Sequence, residues 1–155
     1  MVYLLLKAVH LLCVVLWVGG MAFAHFCLRP AVVVLEPPVR LRLLHAVLRR
    51  FFTIVLGATA LLVLSGLWMI GRTAKQVVQG GASFHWPADW LLMTVVGLVM
   101  VALFGHIRFV LFKRFAVAVT ALDWPAGGAA LAKLRVWVGV NLALGVTVIV
   151  VALLL

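Results

Sequence analysis

Acidic residues are nearly absent from this chain. Glu36, Asp89 and Asp123 are the only three in 155 residues, against thirteen lysines and arginines, and charged residues of both signs make up 10%. Soluble domains are about a quarter charged, so an ordinary soluble domain is excluded. Cysteine is scarce too. Cys13 and Cys27 lie in a single apolar run, about 21 Å apart along a helix axis, too far to bond to each other within the chain. Both are read as small apolar fillers. The sequence has no segments of alternating polarity, which excludes a membrane β-barrel. It also has no linker or low-complexity tract, so residues 1–155 are expected to form a single transmembrane domain.

What is present is hydrophobic: 68% of the residues, with a mean hydropathy of +1.33. A bilayer core about 30 Å thick requires roughly 20 apolar residues in a helix. Four segments are long enough: Val2 to Leu28, Phe51 to Ile70, Trp90 to Phe112 and Val136 to Leu155. The fold class expected is all-α, an integral membrane four-helix bundle with helices over about 2–28, 38–71, 88–114 and 131–155. The first segment is too long for a signal-peptide core and no small-x-small cleavage site follows it, so it is expected to remain in the mature protein.

The net charge of +10 raises the question of nucleic acid, and the placement of the charges argues against it. Arg29, Arg40, Arg42, Arg49 and Arg50 flank the first connection, and Lys113, Arg114, Lys133 and Arg135 flank the third. The second connection has only Arg72 and Lys75 against Asp89. Positive residues gather on the cytoplasmic side, which puts connections one and three inside and both termini outside, in a bacterial-type inner membrane. Membrane lipids are the first expected partners, because a basic inner face attracts anionic head groups. Pro38 suits the first turn of a helix, and on that helix Arg42, His45 and Arg49 share one face at i, i+3 and i+7.

Polar side chains in hydrocarbon are costly and often mark function. Ser65, Thr94 and Thr147 can satisfy themselves on their own helix and are discounted. Asn141 reads as interhelical glue, or as a ligand at the depth of His106. Arg108 can snorkel to the inner interface. The five histidines carry more weight. His10 and His106 lie inside spans, His25 and His45 near the inner interface, and His85 in the outer connection. Buried imidazole serves as a haem ligand, a copper ligand or a proton relay. Helices one and three run the same way, and His106 is expected about 12 Å deeper than His10, so the two make poor partners for one iron. Two levels are expected instead. The outer level has His10, with His85 above it. The inner has His106, His25 and His45, with Arg42, Arg49 and Arg108 near enough to pair the carboxylates of a macrocycle. Glycines along all four helices permit close packing or clear space for such a group. Trp17, seven residues after His10, is expected as an aromatic wall.

The first-helix pattern in KAVHLLCVVLWVGG (Lys7–Gly20), continued at AHFCLRP (Ala24–Pro30) and FGHIRF (Phe104–Phe109), resembles the CopD-like membrane proteins, named for the copper-resistance D component. It is more remotely similar to the HemJ-type protoporphyrinogen oxidases. The resemblance implies a small inner-membrane helical protein that binds haem b or handles copper, with His10 as the first-helix ligand. The third-helix lysine of the HemJ type is absent; Thr94 and Val95 occupy that region. The additional helices of longer CopD proteins are absent too.

Three functions are compatible with these residues. The first is a cytochrome b-like haem b protein engaged in electron transfer or redox chemistry with a quinone or porphyrin-type partner, which would make it a membrane oxidoreductase. The second is copper binding or import, since copper(I) favours imidazole, thiolate and thioether and Cys13 is three residues from His10. The third is a non-catalytic scaffold. A homodimer could bring histidines of two subunits together.

Overall fold

The computed structural model describes residues 1–81, 83 and 85–154. Four long helices, each apolar enough to cross a membrane, make an all-α bundle: α1 (Val2–Val34), α2 (Pro37–Gln79), α3 (Trp90–Thr120) and α4 (Trp124–Leu154). The described residues include no strand. This is a multi-pass membrane protein.

The boundaries arise from local chemistry. Glu36 and Pro87 hold extended backbone (ψ 147° and 140°) just before α2 and α3, and Pro37 and Pro38 occupy a first turn whose N–H groups have no intrahelical partner anyway. Asp123 Oδ1 accepts the Ala126 N–H at 3.0 Å and caps α4. At the tight turn before it, Leu122 takes φ +58°, a left-handed position usually filled by glycine. α3 runs past residue 114 to Thr120 because Phe115, Ala118 and Val119 beyond the charged pair all pack into the core.

Two helices change their winding. α1 contains a π turn at Ala24–Leu28 before it closes through a 3₁₀ turn at Val32–Val34. α3 contains one at Ile107–Leu111. Each admits an extra residue into one turn, a device often found at functional positions.

The helices pack as two hairpins, α1 on α2 and α3 on α4, with α1 also touching α4 and the first part of α2 meeting α3 and α4. Small residues set the closest approaches, as expected where lipid gives no hydrophobic drive between helices. The Phe51 ring rests on Gly20, leaving no room there for a β-carbon. At Gly145 a β-carbon would sit 2.8 Å from Val18 and 3.1 Å from Met100, so α1, α3 and α4 converge at this level. A chain of rings joins three helices through the core: Trp17 to Phe104 at 5.7 Å, Phe104 to Phe52 at 6.0 Å, and Phe52 to Phe112 at 5.3 Å.

α2 spans 43 residues, about 64 Å at 1.5 Å per residue, so it extends beyond the hydrocarbon. Its initial part is packed along one side: Leu41, Leu44 and Leu48 are buried, with Leu41 against Gly127 of α4.

Candidate functional site

The N-terminal half of α1 positions one imidazole with unusual definition. His10 of α1 is half-buried and points at α2, where its Nδ1 lies 2.9 Å from Ser65 Oγ. The ring lies against Gly66, whose β-carbon, if present, would be 3.5 Å from His10 Cε1. Ser65 is buried, and its hydroxyl donates to the Leu61 carbonyl at 2.6 Å. A hydroxyl has one proton and two lone pairs. The same hydroxyl also lies 3.1 Å from the Leu62 carbonyl. When its proton is on either carbonyl, Ser65 accepts from His10 Nδ1–H, and Nε2 then keeps its lone pair. In that arrangement Ser65 orients the ring with one nitrogen turned away from it and able to ligate. The hydroxyl was discounted from sequence because it can serve its own backbone. It does so, and it meets the histidine as well. The adjacent Ser65–Gly66 pair in an otherwise apolar run is the signal that could have found it.

Soft donors continue down the same helix. Cys13 is buried one turn below His10, and Trp17 and Met21 come next on the buried stripe. Residues three apart on a helix have β-carbons about 5–6 Å apart, so the imidazole and thiol belong to one neighbourhood. Met100 of α3 meets Val18 of α1 at Gly145, which puts a second thioether between the levels of Trp17 and Met21. Trp17 itself packs edge-on against Phe104 and serves the core.

The other expected residues occupy separate places. His106 is exposed on the outside of the bundle, its ring 5.7 Å from Trp137 of α4. His25, inside the α1 π turn, is half-buried near Gly139. His45 stacks on Phe112 at 5.4 Å and 10°. His85 is exposed, with Nδ1 3.2 Å from the Ser83 carbonyl. The Arg42 guanidinium lies over Trp124 at 5.2 Å, and that of Arg108 is 5.5 Å from the centre of the Phe112 ring, with its Nε buried and unpaired among the described residues. Arg49 borders a surface hollow with Arg50 and Thr53. Asn141 is fully buried, and neither end of its amide has a hydrogen-bond partner among the described residues.

This arrangement does not suit a bis-histidine haem. His10 addresses α2, and His106 lies outside against α4. Two of the three arginines expected at propionates are engaged with aromatic rings. Among the described residues no three His, Cys, Asp or Glu side chains converge, which also argues against a hard-cation cage. What remains is a string of soft, sparsely coordinating donors along α1 of a membrane bundle.

That class, a small multi-pass membrane protein with soft donors between its helices, agrees with the family comparison. The model described as Copper resistance protein D matches residues 45–155, and the chain belongs to that family. The matched region takes in Ser65, Gly66, His106 and Asn141; it begins after α1, so His10 and Cys13 lie outside it. No curated protein and no solved structure gives a significant match.

Proposed function

We propose that this protein binds copper(I) within the membrane and conducts it between the two faces, with the ion as cargo received at His10 and Cys13. The observation that carries this reading is the His10–Ser65 pair, because it orients an imidazole between α1 and α2 one turn from a buried thiol. Family membership supports it. Met21 and Met100 offer thioethers further along, a donor type matched to copper(I). The basic flanks of connections one and three favour an orientation in an inner membrane with both termini outside.

The test is copper loading of the detergent-purified protein under reducing conditions, with bound metal measured after desalting. The wild type is expected to retain copper, and His10→Ala and Cys13→Ser to lose it. Ser65→Ala should weaken binding about 10–100-fold, the usual effect of removing a group that orients a ligand. Equal retention by all four proteins, or none by the wild type, overturns the reading. The visible spectrum of the same sample decides the haem b alternative. A Soret band with a sharp reduced α band would restore electron transfer with a quinone as the leading function.

A further inference from the structure

A second feature lies at the other end of α1, around its π turn. A crevice opens between α1, α2 and α4, lined by His25, Arg29 and Arg135 together with leucines such as Leu44, Leu48 and Leu131. Arg40 of α2 is close enough, with Arg29, to repel Arg135 electrostatically. Three helices therefore bring arginines of one sign together, and among the described residues no carboxylate lines the crevice. Like charges held together at the edge of a low-dielectric region repel strongly, and an anion between them reverses the sign of that interaction.

The backbone is arranged for this convergence. In a regular α-helix residues five apart point about 140° away from each other. The extra residue in the turn Ala24–Leu28 brings Ala24, His25, Leu28 and Arg29 onto one wall of the crevice.

We propose that this crevice is a binding site for an anionic phospholipid, its phosphate held between Arg29 and Arg135 and its acyl chain lying along the leucine wall. Charge complementarity selects the phosphate, and arginine's planar fork pairs it bidentately. The apolar wall selects a lipid over a free anion. Basic pockets between helices at the interface are suited to such head groups. The proposal stands independently of copper binding.

Native mass spectrometry of the full chain in detergent, doped with equal amounts of phosphatidylglycerol and phosphatidylcholine, tests it. The wild type should retain phosphatidylglycerol with a preference of about thirtyfold, the contribution of two arginines at an anionic surface. Arg29→Gln with Arg135→Gln should abolish that preference, and Arg50→Gln, outside the crevice, should keep it. Displacement of the lipid by excess inorganic phosphate would assign the site to a free anion and overturn the proposal, as would an unchanged preference in the double variant. If the double variant does not fold, the wild type still decides. Phosphatidylglycerol carrying a photoreactive acyl chain should label residues 24–29 or 131–138, and labelling confined elsewhere refutes the site.

Discussion

The two π turns make a natural comparison, because a phenylalanine, a small residue and a histidine stand in succession at each. Phe23-Ala24-His25 stands at the turn in α1 and Phe104-Gly105-His106 at the turn in α3. The outcomes are opposite. His25 lies inside its turn, Ala24–Leu28, and faces the crevice; His106 is the last residue before its turn, Ile107–Leu111, and stays on the outer surface. An extra residue rotates the later part of a helix relative to the earlier part. In α3 the rotation serves the core, since Ile107, Leu111, Phe112 and Phe115 are all buried. In α1 it serves the surface between helices, since of the residues after the turn only Val32 is buried. One local device builds a core in one hairpin and a site in the other.

Removing the extra residue from each turn separates these roles, and the larger effect is expected in α3. Deleting Val110, which is exposed, restores regular winding and turns Phe112 and Phe115 about 100° out of the core. Losing the packing of one such phenylalanine costs about 3–5 kcal/mol, so the variant should fail to accumulate in the membrane, as measured by yield of monodisperse protein. Normal yield and melting temperature would mean that the core does not depend on the turn. Deleting Cys27, also exposed, should cost only about 1–2 kcal/mol, since one buried side chain moves. The folded protein should keep its copper but lose its preference for anionic lipid.

Asn141 allows a third comparison, between structural and functional polarity. A buried amide with neither atom paired carries a penalty of about 1–3 kcal/mol, and leucine is close in volume. Asn141→Leu is expected to raise the melting temperature in detergent by a few degrees, corresponding to about 1 kcal/mol. A decrease would show that the amide finds partners in the membrane that repay its burial.

How far the sequence revealed this arrangement depends on the scale. The four helices were legible because lipid imposes a length and an apolarity that few other structures meet. Proline marked the starts of α2 and α3. The π turns were encoded less openly. Buried positions in α1 before its π turn are Cys13, Trp17, Val18 and Met21, with half-buried His25 next, an ordinary helical stripe. The expected inner cluster of His106, His25 and His45 did not form. Depth along a helix can be counted from sequence, whereas facing depends on rotation, which two π turns alter. The aromatic partner of Arg42 was equally invisible, since Trp124 belongs to another helix.

The smallest expected effect is the most discriminating. His106 is exposed, and its ring contact is with Trp137, itself 39% exposed. A substitution away from the core usually changes stability by less than about 0.5 kcal/mol, so His106→Ala should melt with the wild type. It should also hold the same copper, because His10 and Cys13 are on another face of the bundle. An imidazole facing hydrocarbon is nevertheless a costly side chain, and its retention has two explanations that this variant separates. If copper and melting temperature are both unchanged, His106 is a tolerated surface residue and the α1 donors act alone. If copper falls while the monomer's melting temperature holds, the ring works from outside the bundle. Cross-linking of the wild type would then have to reveal a second copy presenting its own α3–α4 face.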